Sequence, residues 1–444
     1  MGRRDRSRIT GNRYAKRVDV ADGVDGAPPG GVTLRSLVVP VYLPTVLFGL
    51  GQGAIIPVIP LAATGLGASV AVAGLIVGLR GLGTLLFDLP AGWLVERIGE
   101  RRAMLAATAL LAAALVGCVL ARHVVALAAC VVLIGCSWSV WLLARLTYVT
   151  EATDARLRGR ALSTLGGANR IGVFLGPFCG AAAVGLAGLD GAFLVHIVAA
   201  VLGLVVLAVA ADPVELESET QGAPADRSAA GHRPTGVRRA MASGLPGAWA
   251  AAGVTITVGL LRASRQALLP LSAQAAGFDD ATVSVLFGLS AAIDMTFFYP
   301  VGHLSDRFGR RSVAVPCVGL LAAGHVAMAA GSGVALVVAA VLLGVGNGFG
   351  SGIVMTLSAD FSPDRGRAAF LGAFRLLGDI GTSAGPFVVA ALIGAASLGS
   401  ASLGVGVAGL VAAASIVRVL PETAGRARRA PVGGPGSGPP PTNP

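Results

Sequence analysis

The chain has 444 residues, of which 54% are hydrophobic and only 13% charged, with a mean hydropathy of +0.77. Soluble domains carry about 25% charged residues, so a water-soluble globular protein is excluded and a membrane protein is indicated. The net charge of +11 does not point to nucleic acid, because the Arg residues fall mostly in the tails and in short connectors between apolar runs, where a membrane protein places them.

Residues 1–35 are polar and Arg-rich, and no secretory signal is apparent in them. A spanning helix needs about 20 apolar residues. From Leu37 onward, runs of that kind lie near 37–61, 70–93, 103–121, 125–149, 161–187, 190–211, 247–272, 281–302, 312–331, 334–358, 368–396 and 399–420. The sequence therefore predicts an all-α, polytopic membrane protein with twelve transmembrane helices. Its division is a basic tail (1–35), a six-helix bundle (36–211), a polar linker (212–246), a second six-helix bundle (247–420) and a Pro/Gly-rich tail (421–444) expected to be disordered. Lys and Arg concentrate in the tails, the linker and the connectors after runs two, four, eight and ten, with Arg122 alone in a connector on the opposite side. The positive-inside rule then places both termini and the linker in the cytoplasm of a plasma (inner) membrane protein.

Ionisable groups within spanning runs are costly and mark functional positions. In chain order these are Arg80 and Asp88, Arg145, Arg170, Arg262 and Arg265, Asp294, and Arg375 and Asp379. At about 1.5 Å per residue, Arg80, Arg170, Arg262 and Asp379 fall near the midplane. Arg375 and Asp379 share a helix face and can pair. Asp294 has no partner on its own helix, and two readings stand. Either it forms a salt bridge with an Arg of another helix, or it exchanges a proton, since withdrawal from water favours a protonated carboxyl. Asp379, Asp88 and Arg145 are further proton-coupling candidates, with Asp88 closer to a gating network. Arg262 and Arg265 face similar directions, Gln266 lies one turn from Arg262, and Gln52 holds the first-half position equivalent to Arg262. Trp138 and Trp141 have two readings, contact with the solute or a packing or lipid-facing role.

The cysteines Cys118, Cys130, Cys136, Cys179 and Cys317 all lie inside apolar runs without a C-x-x-C pair and read as packing residues. The histidines are scattered, which argues against a metal site or a catalytic cluster. No phosphate-binding Gly-rich loop is visible, which argues against an ATP-driven pump. No cofactor is expected.

An internal repeat at an offset of 210 residues runs through the chain. Gly49-Leu50 matches Gly259-Leu260, Pro60-Leu61 matches Pro270-Leu271, Gly67 matches Gly277, and Gly78-Leu79 matches Gly288-Leu289. The connector "GWLVERIGERR", from Gly92 through Glu96, Arg97, Gly99 and Arg101, is echoed by "GHLSDRFGRRS", from Gly302 through Asp306, Arg307, Gly309 and Arg311. Two homologous six-helix halves in parallel orientation are the pattern of a secondary transporter.

The pattern G-x-L-x-(D/E)-R-x-G-x-R-R between runs two and three resembles the signature loop of the major facilitator superfamily. The resemblance covers about residues 36–420. It implies that the two bundles are pseudo-symmetric, that they rock around a midplane site, and that Glu96, Arg97 and Asp306 latch the halves in the outward-facing state; the alternative reading of these charges is a topology signal. "GVFLGPFCG", with Gly172, Gly176, Pro177 and Gly180, resembles the antiporter motif of drug/proton exporters in that superfamily. It has Ser163 and Ala181 where the full motif has glycine, and "GTSAGPF" (381–387) repeats its core. Exporter signal and helix-packing device both remain as readings. An Arg at position 145 resembles a family motif linked to proton coupling, without the Gln-Gly that follows it there. By the same resemblance, runs one, four, seven and ten line the cavity, which assigns it Gln52, Arg145, Arg262, Arg265, Gln266 and Asn347. The function implied is export of small amphipathic compounds in exchange for protons, by a monomer in the bilayer. The alternative is proton-coupled uptake of a small anionic metabolite, which the Arg-rich cavity favours.

Overall fold

In lipid, backbone amides and carbonyls have only one another for hydrogen bonding, and nearly every described position of this chain is helical. The computed structural model describes residues 36–153, 157–210, 237–350, 352–363 and 366–422. The first span opens with a wide turn, Val38–Tyr42, in which the Tyr42 amide donates to the Leu37 carbonyl (3.1 Å). It continues as α1 (Leu43–Ile55), breaks at Ile56-Pro57 and resumes as α2 (Val58–Gly65). α3 (Val70–Ile98), α4 (Glu100–Leu120), α5 (Val124–Ala152), α6 (Arg158–Ala187) and α7 (Leu189–Val209) complete the first half. The second half has a short α8 (Val237–Ala242), α9 (Ala248–Ala275), α10 (Asp280–Phe308), α11 (Arg311–Met328), α12 (Gly333–Phe349), α13 (Ile353–Asp360), α14 (Arg367–Ala395) and α15 (Leu398–Val419). α12 and α13 form one interrupted crossing, broken where Gly352 takes a φ of 80°. Eleven helical stretches among the described residues are long and apolar enough to span. α9 supplies the twelfth crossing, its composition diluted by Arg262, Arg265, Gln266 and Gln274.

One expectation is corrected. The sequence ends the second span near residue 93, but α3 runs through Gly92 to Ile98 and turns at Gly99 (φ 83°). α10 likewise passes Gly302 and turns at Gly309 (φ 94°). Residues 93–98 are all compatible with a helix, and only a positive φ, inexpensive for glycine, stops it. Within the linker, Val237–Ala242 form α8, packed against α14; the linker residues 212–236 lie outside the described ones.

The 210-residue repeat reappears as three-dimensional equivalence. Ser69 caps α3 by accepting from the Val72 amide (3.3 Å), and Asp279 caps α10 by accepting from the Thr282 amide (2.9 Å). The Thr282 hydroxyl also donates to Asp279 (2.6 Å), and these bonds hold that carboxyl below the usual carboxylate range. Arg101 Nη2 donates to the Ala210 carbonyl (2.7 Å) and its Nε to that of Leu207 (3.2 Å), at the end of α7. Arg311 Nε donates to the Leu420 carbonyl at the end of α15. Each Arg thus satisfies orphan carbonyls at the C-terminus of the last helix of its own half.

The halves meet along two interfaces, α3 against α14 and α6 against α10. Thr64 and Gln274, 210 positions apart, are hydrogen-bonded (3.1 Å). Equivalent residues touch only near the axis that relates the repeats, so this end of the seam lies on the pseudo-twofold. Farther in, the Phe387 ring covers Gly78, where a Cβ would lie 3.1 Å from it, and the Phe178 ring covers Gly288, where a Cβ would lie 3.0 Å from it. The seam is closed at this Arg-poor end. Leu89 sits about three turns beyond Gly78 on the same face of α3 and is 88% exposed; Ile380, two turns before Phe387, is 44% exposed. The halves therefore splay toward the end that carries the Arg-rich connectors.

Candidate transport site

Where the closed seam gives way to the splayed part, a polar layer joins the halves. Arg170 of α6 places Nη1 3.5 Å from Asp294 Oδ1 of α10, an ion pair longer than a hydrogen bond. Asn347 of α12 donates from Nδ2 to Asp294 Oδ2 (2.7 Å), and its backbone carbonyl accepts from Arg262 Nη2 (2.9 Å). Arg265 donates to Ser290 Oγ (2.9 Å) and lies over the Phe287 ring (4.9 Å). Arg80 of α3 donates across the seam to Gln266 Oε1 of α9 (3.3 Å). Among the described residues, four guanidinium groups thus share one layer with a single carboxylate. The Nε atoms of Arg262 and Arg265 are buried without a hydrogen-bond partner.

Of the sequence-predicted cavity residues, Arg262, Arg265, Gln266 and Asn347 come together here with Asp294. Gln52 is buried on α1. Arg145 departs from the group. It is only 5% exposed, stacks on Trp141 (4.3 Å) and donates to Thr45 Oγ1 (3.3 Å), all within the first bundle. Phe48 stacks on Trp141 in turn, with centroids 4.0 Å apart, so that the Arg is held by an aromatic shelf rather than by the chamber. Asp88 accepts from Ser139 Oγ of α5. Asp379 pairs with Arg375 on its own helix (3.6 Å), as the spacing suggests, and lies within electrostatic reach of Asp88 across the α3–α14 interface.

In the two connectors, Glu96 is exposed and has no partner among the described residues, and Arg97 lies over Trp93 (5.1 Å). Arg307 lies over Phe308 (5.2 Å), while the side chain of Asp306 falls outside the described ones. Gly172, Gly176 and Gly180 press α6 onto α1, where a Cβ on Gly180 would sit 3.0 Å from the Ala54 backbone. Gly381 and Gly385 press α14 onto α9 in the same way. Pro177 stays inside α6 without ending it.

The sequence reading left Arg80, Arg170 and Ser290 out of the site. Their signal was depth for the two Arg residues; Ser290, a common small polar residue, gave none. Among the described residues no cluster of three or more His, Cys, Asp or Glu could hold a metal.

Duplicated bundles, a seam closed at one end and a charged layer buried within it define a secondary transporter, not an enzyme. The profile of the Major Facilitator Superfamily matches residues 41–262 and 251–440, and the chain belongs to that superfamily. No curated protein sequence matches it. Among solved structures it resembles a POT family transporter in complex with a thioalcohol-conjugated peptide (13% identity, 86% of this chain and 96% of that one, TM-score 0.68). It also resembles a bacterial homolog of the human lysosomal transporter Spinster in an inward-facing, unoccupied conformation (16% identity, 89% and 96%, TM-score 0.66). A third is the nucleoside transporter NupG (13% identity, 87% and 98%, TM-score 0.65). At these identities the likeness is one of fold alone.

Proposed function

We propose that this chain is a proton-coupled transporter that exports small amphipathic compounds across the plasma (inner) membrane, as a monomer with both termini in the cytoplasm. The observation that carries the reading is the Arg170–Asp294 ion pair across the seam. Protonation of Asp294 removes the attraction that joins α6 to α10, so proton occupancy and the opening of the seam become linked equilibria. Export is supported by the resemblance of 172–180 to the antiporter motif. The same glycines serve packing, as their counterparts in α14 do, so direction rests on the first copy alone. With the Arg-rich connectors on the cytoplasmic side, the splayed end is the cytoplasmic one.

The surplus of guanidinium over carboxylate favours a second reading, uptake of a small anionic metabolite together with a proton. Solute accumulation in cells with and without the protein tests direction, since export lowers it and uptake raises it. Flux into proteoliposomes that is indifferent to an imposed pH gradient would remove proton coupling.

A further inference from the structure

We propose that Arg262, Arg265 and Arg170 form a seat for a carboxylate or phosphate group of the solute, in which Asp294 is a tethered stand-in that gives up Arg170 when the solute anion arrives. This rests on the second reading above, uptake of a small anion together with a proton; it adds the residues of the seat and the order of coupling.

Charge counting carries the argument. The groups facing Asp294 are Arg170 from α6, Arg262 and Arg265 from α9, Cys317 from α11 and Asn347 from α12, while Arg80 reaches the layer from α3 through Gln266. A buried guanidinium without a counter-charge is costly, and one carboxylate cannot serve four. Arg262 is satisfied by a neutral backbone carbonyl and Arg265 by a serine hydroxyl. Both leave their Nε–H unclaimed, and that N–H belongs to the edge a guanidinium presents to a carboxylate or phosphate in a paired bond. The site is reachable, since the side chains of Arg170 and Asp294 are 29% and 18% exposed. The Arg170–Asp294 contact, at 3.5 Å, is also loose enough to be exchanged for a better one.

An anion seated there takes Arg170 and sets a second negative charge beside Asp294. Both changes favour the neutral carboxyl. One proton then passes from solvent to an Asp294 oxygen, and anion and proton occupy the layer together. Proton and anion that bind together travel in the same direction, so a filled seat selects the second reading above, uptake with a proton, and overturns proton-driven export.

The test is a binding measurement on the purified full chain in detergent. Succinate, dimethyl phosphate and benzoate, none of which titrates near neutral pH, are added in weakly buffered solution with a pH indicator, against neutral succinamide. The expected result is proton uptake approaching one per chain and a raised melting temperature with at least one of the three anions, and neither with succinamide. Arg262→Gln and Arg265→Gln should weaken the apparent affinity tenfold or more. Asp294→Asn should keep the melting shift and lose the proton uptake. Failure of all three anions to stabilise the wild-type chain overturns the proposal, as does equal stabilisation by succinamide or proton uptake that persists in Asp294→Asn. The wild-type arm stands even if a variant does not fold. Anion binding without pH-driven flux in proteoliposomes would sink the transport reading and leave the seat, whereas pH-driven flux of neutral amphiphiles without anion binding would do the reverse.

Discussion

Arg170 and Asp294 face each other at 3.5 Å across the α6–α10 interface, and the repeat does not reproduce the pair on the opposite interface. Counting from the shared Gly-Pro-Phe, Asp379 stands in α14 where α6 has Arg170, and at the 210-residue offset of the repeat Thr84 stands in α3 where α10 has Asp294. The scaffold is duplicated and the charges on it are not, so the two interfaces respond differently to the same proton or solute.

If Asp294 couples protons to transport, Asp294→Asn is expected to lower pH-driven flux in proteoliposomes by tenfold or more. Exchange of labelled for unlabelled solute without a gradient should persist, because no net proton movement is needed. Undiminished pH-driven flux in the variant would take Asp294 out of the mechanism.

The reciprocal ring-on-glycine contacts make a prediction about conformation. Gly288→Val adds branched bulk where even a Cβ lies 3.0 Å from Phe178, tighter than close-packed atoms accept. Spin labels placed on the α2–α3 and α9–α10 turns, at the closed end of the seam, should move apart in this variant. Adding Phe178→Ala should bring them back, and Gly78→Val with Phe387→Ala should behave alike. Unchanged label distances in both single variants would show that these contacts do not close the seam.

Arg101 and Arg311 act within their own halves, so their loss is expected to cost stability. Arg101→Ala removes charge-assisted bonds to the Leu207 and Ala210 carbonyls, at about 1.5–3 kcal/mol, seen as a lower melting temperature. Arg101→Lys should restore only part of this, since an ammonium lacks the planar fork.

Arg145 and Arg262 are predicted to part company. Arg145→Ala empties a site enclosed by Trp141 and Thr45 and should lower the melting temperature with little change in solute affinity. Arg262→Gln should weaken affinity with a smaller thermal effect. Equal loss of affinity in both variants would return Arg145 to the chamber.

Much of this was open to reading in one dimension. Twelve crossings, their duplication and the asymmetry of Arg placement follow from hydrophobic length and charge, because lipid imposes one rule on every residue of a span. Depth, too, is nearly linear in residue number along a helix, and it marked Arg80, Arg170 and Arg262 as midplane charges. The i,i+4 spacing of Arg375 and Asp379 is local and was equally visible.

Azimuth was not. Arg145 and Arg262 are both membrane arginines, on runs that the family resemblance directs to the same cavity. Helix rotation turns the first onto Trp141 inside its bundle and the second toward Asn347 and the layer. The length of α3 beyond Gly92 was likewise hidden, since nothing before Gly99 forces a stop. The sequence alone determined which segments cross the bilayer and that they do so twice over, because burial in lipid depends on composition summed along a segment. Only the tertiary structure decided that Arg170 meets Asp294 and that Phe178 meets Gly288, because those contacts depend on how independent helices are rotated and tilted against one another, and no local preference encodes that.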